Sequence, residues 1–200
     1  MWYASIKTER TETKMQLWID LETTGLAADN DEIIEVGWFV TDNWEWLTQP
    51  QSAVVTPTKE TWELVKADLF VQSMHSDNGL LDDMMLENTL MIEDIEDQIL
   101  DELRPLQALE PGAHVILSGS SVHFDRSFIH EYMPRLDDLL SHRHFDVSVL
   151  RTFFDDMGYS DHKLTGESTH RAEDDIKASY AQARNYVNLM NALTEGTLNA

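Results

Sequence analysis

The chain has 200 residues, of which 42% are hydrophobic, so it can bury one substantial core and a single domain is expected. It has no cysteine, which excludes disulfides, thiolate-ligated zinc and thiol catalysis. The absence of cysteine also fits a reducing compartment, and we expect a cytoplasmic protein. The formal net charge of −23, from 37 acidic against 14 basic side chains, argues against tight binding of long nucleic acid, which needs many Lys or Arg contacts to phosphates.

The sequence gives no sign of membrane association. No stretch approaches the roughly 18 consecutive apolar residues of a membrane-spanning helix. The first residues are polar and lack the apolar centre of a secretory signal. We interpret residues 1–14 as an extension that precedes a domain formed by residues 15–200. A substrate with few phosphates, held partly by metal ions, is compatible with the acidic charge.

Hydrophobic periodicity predicts strands and helices that alternate along the chain. The predicted strands are 16–22, 32–42, 52–57 and 113–121. The predicted helices are 59–73, 80–106 with an interruption near "ENT", one after residue 121 that stops near Pro134, and 172–193. A short strand that runs into a helix is predicted over 144–158. Early strands with interleaved helices predict an α/β domain.

The first predicted strand, in "LWIDLETTGL", carries two carboxylates two residues apart. Because residues i and i+2 of a strand point to the same face, the side chains of Asp20 and Glu22 are expected to lie together. Unpaired, they would repel each other, and one would take up a proton. A bound divalent cation removes this repulsion, since hard cations such as Mg²⁺ prefer carboxylate oxygens. The alternative is one exposed carboxylate beside one in a salt bridge at the strand end.

Two later segments carry further candidate groups. Asp125 follows the small-residue strand end "SGSS", at the carboxyl edge where open α/β sheets bind ligands; alternatively it is a helix cap. In "STHRAEDDIKASY", His170 and Asp175 would lie about 140° apart on one continuous helix. They converge more easily if His170 lies on a loop and Asp175 in the first helical turn, which suits a general base beside a metal ligand. The alternative is a surface His before an acidic first turn that favours the helix dipole. Asp174 competes with Asp175 for the ligand role and is expected to be solvated.

The combination of D-x-E on the first strand, a mid-chain Asp and H-x4-D near the end resembles the DEDDh exonucleases and, within them, the oligoribonuclease family. The matching segments cover about residues 16–185; they are "LWIDLETTGL", "MHSDNGL", "SGSSVHFDRSFIHEYMPRL", "HFDVSVL" and "THRAEDDIKAS". The resemblance implies an RNase H-like fold with a central mixed β-sheet flanked by helices. It also implies 3′→5′ hydrolysis of short RNAs, from dinucleotides to about five nucleotides, to 5′-nucleoside monophosphates.

The resemblance also assigns catalytic roles, position by position. It makes Asp20, Glu22, Asp125 and Asp175 the ligands of two divalent ions per active site, Mg²⁺ or Mn²⁺. It makes His170 the general base that takes a proton from the attacking water.

Five further residues match positions at which the family binds substrate. Leu26 matches an apolar wedge between the two terminal bases. His75 and Ser121 match polar groups around the 5′ phosphate. Arg143 matches a basic residue that reaches this phosphate from the partner subunit of a homodimer, and the adjacent His142 replaces the usual Tyr.

Other positions depart from the family pattern. Phe70 stands where the family usually has Trp, "ETTG" replaces the commoner "EMTG", and "SGSS" replaces "GNS". These departures predict a divergent member and bear on dinucleotide strictness and dimer geometry more than on the reaction itself.

Two other functions remain open from the sequence. One is a DEDDh exonuclease that acts on longer single strands of DNA or RNA, in proofreading or trimming. The other is a non-catalytic binding module of the same fold, against which the presence of all five catalytic positions weighs. A zinc site at His142 and His144 is disfavoured, because no further ligands occur at a matching spacing.

Overall fold

The computed structural model of the chain describes residues 15–109, 115–159 and 168–196, which form six strands and eight helices. The strands are β1 Met15–Thr23, β2 Ile33–Asp42, β3 Glu45–Trp46, β4 Gln51–Val54, β5 Val115–Gly119 and β6 Leu140–Asp146. The helices are α1 Lys59–Ala67, α2 Leu69–Asp77, α3 Leu80–Asp83, α4 Ile92–Leu109, α5 Val122–Tyr132, α6 Pro134–Leu139, α7 Val147–Asp156 and α8 Ala172–Thr194. The predicted extension, 1–14, lies outside the described residues.

The strands form one mixed sheet, which confirms the predicted α/β class. The strand order is β3-β2-β1-β5-β6, and β4 pairs with β2 as well. β2 runs antiparallel to β1, β3 and β4, whereas β1, β5 and β6 run parallel. The register places Asp20 opposite Gly37 and Glu22 opposite Glu35. The predicted carboxylate pair therefore lies on the middle strand of the sheet.

The two faces of β1 have different surroundings, as its alternating pattern requires. Leu17, Ile19 and Leu21 are buried in a core that includes residues of α4 and α5. Trp18 belongs to a second core, formed with residues of α7 and α8. Since Asp20 and Glu22 follow Trp18 at intervals of two, they lie on the face that α8 covers.

Gly37 allows α8 to begin directly over β2. A Cβ atom at this position would lie 2.5 Å from the carbonyl carbon of Ala172, 2.6 Å from its oxygen and 2.8 Å from the backbone nitrogen of Glu173. Real Cβ atoms do not approach backbone this closely, so only glycine permits the observed contact. The first turn of α8, which contains Asp175, is thereby set close to the sheet.

The structure corrects one predicted helix and confirms the interruption of another. The segment 59–73 is two helices rather than one, because Asp68 adopts an extended backbone and its carboxylate accepts hydrogen bonds from the N–H groups of Phe70 and Val71. The segment 80–106 is also divided, into α3 and α4, and the predicted interruption near "ENT" is confirmed. The short strand β3 is not foreseen by the sequence pattern.

Four tryptophans lie on β1, on β2, on β3 and in the turn between β2 and β3. Trp18 and Trp38 are buried. Trp44 packs edge-on against Phe145 near Trp18, and Trp46 is partly exposed on the short strand β3.

None of the helices in the described part of the chain has the length and apolar character that a membrane span requires.

We expect Gly37→Ala to destabilise the fold by about 1–3 kcal/mol, because the added methyl group overlaps the backbone of α8. Urea denaturation monitored by circular dichroism measures this free energy of unfolding. Ser76→Ala, an equally small change at an exposed helix position, is the control and should shift stability by less than about 0.5 kcal/mol. Equal stability of Gly37→Ala and the parent would contradict the tight packing described for α8.

Candidate active site

The end of β1 concentrates buried negative charge. Burial raises the pKa of Asp20 well above its usual value, and repulsion from Asp125, Glu22 and Asp175 raises it further. Burial, with repulsion from Asp175, also raises the pKa of Glu22 to about 8. The structure therefore brings the four predicted carboxylates into one electrostatically coupled cluster.

Asp125 lies in the first turn of α5, directly after β5 ends. Its carboxylate is buried and accepts a hydrogen bond of 3.1 Å from the backbone N–H of Leu21 in β1. Burial raises the pKa of this carboxyl to about 7, although the bond from Leu21 opposes the shift. The N-cap residue of α5 is Ser121, so Asp125 is not the helix cap that the sequence left as an alternative. Its hydrogen bond ties α5 to β1.

His170 and Asp175 adopt the predicted arrangement. His170 lies on the loop before α8, and Asp175 lies in the first turn of the helix. The Asp175 carboxylate accepts hydrogen bonds from the backbone N–H groups of Thr169, at 2.9 Å, and His170, at 3.1 Å. It also accepts one from the hydroxyl of Ser168. These bonds fold the loop over the carboxylate and bring the imidazole to the cluster.

Within the described residues, one group of three side chains has the spacing to hold a metal ion. One ligand atom each from Glu22, His170 and Asp175 lies within 4.8 Å of the others. Asp20 and Asp125 adjoin this group, as their mutual repulsion shows. The cluster fits a divalent cation, since hard oxygen donors dominate it and their carboxylates, buried or half-buried, lie close together.

The other ligand alternatives from the sequence are not supported by the geometry. Asp174 has a side chain that is 58% exposed and pairs with Lys177, as expected for a solvated residue. His142 and His144 are exposed on β6, and neither belongs to the metal-compatible group in the described part of the chain.

The structure adds Glu35 and Arg171, which the sequence interpretation missed. Glu35 is buried and accepts hydrogen bonds from Nε and Nη2 of Arg171, at 3.2 and 3.1 Å, and from the backbone N–H of Ala172, at 3.0 Å. Nη2 of Arg171 also lies 2.7 Å from Asp83. These contacts fix the start of α8. The available signal was the acid at position 35 inside the otherwise apolar run "IIEVGWFV".

The predicted substrate-binding residues lie in different environments around the cluster. Leu26 follows β1 and is 85% exposed. Its loop is held by Asp31, whose carboxylate accepts a hydrogen bond of 2.9 Å from the backbone N–H of Ala27. Phe70, at the position where the family usually has Trp, is also exposed. These two apolar side chains are therefore available for contact with bases.

The candidate phosphate contacts differ in burial. His75 is completely buried, and its Nε2 lies 3.8 Å from Oε2 of Glu22. Burial lowers the pKa of His75 to about 4, and nearby His170 and Arg171 lower it as well, so the imidazole is neutral at pH 7. Ser121 is exposed at the start of α5, with its hydroxyl 3.1 Å from that of Ser148.

The candidate residues for a contact between subunits lie on β6. Arg143 and His142 are both exposed there. Since β6 is the last strand in the sheet order, their side chains lie away from the cluster formed at β1. The roles predicted for all these substrate residues remain predictions.

Comparison with known proteins identifies the family. A family model described as Exonuclease matches residues 17–183. Oligoribonuclease of Corynebacterium diphtheriae is 36% identical over 147 residues, covering 73% of this chain and 68% of that protein. Oligoribonuclease of Pseudomonas syringae pv. tomato is 33% identical over 170 residues, covering 85% of this chain and 92% of that protein. The chain spans only 60% of the oligoribonuclease of Corynebacterium glutamicum.

Solved structures show the same fold at low identity. Exonuclease I from Methylocaldum szegediense superposes with a TM-score of 0.61 at 14% identity, covering 86% of this chain and 40% of that one. The zinc-bound E. coli ExoI–ssDNA complex superposes with a TM-score of 0.61 at 15% identity, covering 91% of this chain and 42% of that one. The chain thus spans about two fifths of these enzymes, and the likeness confirms the predicted RNase H-like exonuclease fold. The chain belongs to the exonuclease family and, within it, to the oligoribonucleases.

Proposed function

We propose that the chain is a 3′→5′ exoribonuclease that hydrolyses short oligoribonucleotides, from dinucleotides to about five nucleotides, to 5′-nucleoside monophosphates. As an exonuclease, it hydrolyses phosphodiester bonds. The observation that carries the proposal is the convergence of Asp20, Glu22, Asp125 and Asp175 with His170 at the end of β1. Buried and half-buried carboxylates that repel one another beside an imidazole are suited to metal-assisted hydrolysis.

The acidic cluster and the family indicate dependence on divalent metal ions. We propose Mg²⁺ or Mn²⁺, two per site, held by Asp20, Glu22, Asp125 and Asp175. When bound, such ions supply Lewis-acid stabilisation of the phosphate and of the leaving 3′ oxygen. The buried carboxylates favour cation binding because repulsion between them is relieved by a positive charge.

The proposed general base is His170. Its loop position leaves the ring beside the carboxylates of Glu22 and Asp175 rather than locked inside the helix. An imidazole exchanges protons near neutral pH and is a common general base, so it can accept the proton of the attacking water.

We assign the substrate contacts by their chemistry. The exposed side chain of Leu26 would separate the terminal bases. His75, which is neutral at pH 7, would contribute hydrogen bonds but no charge. The hydroxyl of Ser121 and the guanidinium of Arg143 would complete the binding of the 5′ phosphate, with His142 beside them.

We further propose that the enzyme works as a homodimer through α7 and β6. Val149 and Phe153 on α7, and Met157 directly after it, are exposed at intervals of four residues and form an apolar stripe. Large exposed apolar side chains in one patch are typical of interaction surfaces. The stripe lies on the helix that directly follows β6, which carries Arg143 and His142. A second copy covering it would bring Arg143 toward the neighbouring subunit.

A cytoplasmic location remains a prediction, supported by the absence of cysteine.

Asp20→Asn should lower dinucleotide hydrolysis by at least about 10³-fold, because loss of a metal ligand removes several kcal/mol of transition-state stabilisation. The same variant should melt about 2–4 °C higher than the parent in EDTA, if neutralising the buried charge recovers about 1 kcal/mol. Mn²⁺ should raise the melting temperature of the parent but not of the variant.

Asp174→Asn is the matched control for Asp20→Asn. It makes the same chemical change one residue before Asp175, at a side chain that is 58% exposed. It should retain hydrolysis and the response to Mn²⁺. Full activity of Asp20→Asn, or unchanged activity of the parent in EDTA, would refute the metal-dependent mechanism.

Substrate length distinguishes the proposal from an exonuclease acting on longer strands. We expect the parent to hydrolyse a dinucleotide faster than a 20-mer RNA or single-stranded DNA at equal 3′-end concentration. Raising salt from about 50 to 200 mM should reduce the dinucleotide rate by much less than the 10³- to 10⁵-fold typical of binding through many phosphates. Faster hydrolysis of the 20-mer would favour the alternative.

Phe153→Glu should convert a dimer into a monomer, because it places a charge in the apolar stripe of α7. Light scattering after size-exclusion chromatography gives the mass of each form. Met190→Glu is the control, since Met190 is exposed to a similar degree on α8. A monomeric parent, or a Phe153→Glu variant that stays dimeric, would count against this interface.

A further inference from the structure

His170 has a backbone conformation that needs support from its surroundings. Its φ of 52° lies in the left-handed region, which a residue other than glycine seldom adopts. Such a conformation costs about 1–3 kcal/mol and persists only where neighbouring groups hold it. The backbone N–H of His170 donates to Oγ of Ser168 and to Oδ2 of Asp175, each at 3.1 Å. Those bonds fix the backbone N–H side of His170, whereas its carbonyl side needs a separate partner.

Asn78 holds the other end. Its Nδ2 donates a hydrogen bond to the carbonyl oxygen of His170 and lies 3.4 Å from that of Thr169. Its Oδ1 accepts from the backbone N–H of Leu80 at 3.0 Å. This second bond sets the orientation of the amide, because only the oxygen can accept from an N–H and only the NH₂ can donate to carbonyls.

The contact joins two segments that are far apart in sequence. Asn78 ends α2, the helix that carries His75, and its Nδ2 also lies 3.4 Å from Nδ1 of His75. Arg171, the residue after His170, donates to the backbone carbonyl of Asn78 at 3.5 Å and is bound by Glu35. The loop before α8 is therefore attached both to the sheet and to the end of α2.

Asn78 also differs from Asp175 in the kinds of groups that its side chain must bind. The oxygens of Asp175 accept bonds from the loop and are proposed to hold a metal ion, so they are shared between two tasks. The side chain of Asn78 instead contacts the carbonyls of the loop, the N–H of Leu80 and Nδ1 of His75. None of these partners is a carboxylate proposed to hold a metal ion.

We propose that Asn78 is a positioning residue for catalysis. By donating to the carbonyl of His170, it keeps that residue in its left-handed conformation and directs the imidazole toward the carboxylates. The proposal rests on the proposed role of His170 as general base. It predicts an effect on the chemical step rather than on binding, because misplacing a catalytic group by about 1 Å can cost 100-fold in rate.

Two substitutions separate the donor function of Asn78 from its contact with Leu80. Asn78→Ala removes the hydrogen bond to the carbonyl of His170 and the one from the N–H of Leu80. Asn78→Asp keeps an acceptor for the N–H of Leu80 but cannot donate to the carbonyl of His170. Asn188→Asp adds the same charge at an exposed position of α8 and is the matched control.

Steady-state hydrolysis of a dinucleotide with Mn²⁺ gives kcat and KM for each protein. We expect kcat to fall about 10- to 100-fold in both Asn78 variants, with KM changed by less than about threefold. The Kd for Mn²⁺, from titration calorimetry, should stay within about threefold of the parent value. Asn188→Asp should match the parent throughout. If Asn78→Ala does not fold, the kcat and KM of Asn78→Asp test the proposal alone.

Hydrogen exchange provides a readout that does not depend on activity. The backbone amides of residues 168–171 should exchange at least about tenfold faster in both Asn78 variants, because the loop loses its attachment to α2. Unchanged kcat in Asn78→Asp, or a loss confined to KM, would overturn the positioning role. An inactive parent would refute the proposed function, and unchanged exchange of 168–171 would then refute the attachment through Asn78.

Discussion

The burial of like charges at the centre of the sheet is the constraint on which the rest of the site depends. Asp20 and Glu22 lie on the middle strand, and burial raises the pKa of each. Burying a carboxylate costs free energy unless its oxygens are hydrogen-bonded or paired with a positive charge. The backbone N–H of Leu21 holds Asp125, and that of Thr169 helps to hold Asp175. Two of the four carboxylates are thus held by main-chain N–H groups, which leave oxygen atoms of the cluster for a cation.

Two glutamates that are paired across β1 and β2 have different functions in the fold. Glu22 and Glu35 are directly paired in the register, and both are buried. Glu35 is neutralised by Arg171 and caps α8 through the N–H of Ala172, so its charge is used within the fold. Glu22 instead belongs to the metal-compatible group. One acid sets the position of α8, and the other serves the site that α8 completes.

The sequence was sufficient for features that depend on local geometry. Alternation along a strand places Asp20 beside Glu22, and helical periodicity places His170 outside α8 and Asp175 inside it. The break at Asp68 was missed because apolar spacing continues across it, while the carboxylate itself caps the next helix. Asn78 was missed for a different reason: its partner His170 is 92 positions away, and nothing in either local pattern brings them together.

The way the basic side chains are used also limits the substrate. Arg126, Arg135 and Arg171 each bind a carboxylate of the chain, so they are committed to holding elements together. The chain has 14 basic residues against 37 acidic ones, so a long bound strand would meet a predominantly acidic surface. Each nucleotide added to a bound strand would bring a negative charge to an acidic surface without a matching cation. Affinity should therefore gain little from length, and the electrostatics of the fold favour substrates whose few phosphates lie at the metal-compatible cluster.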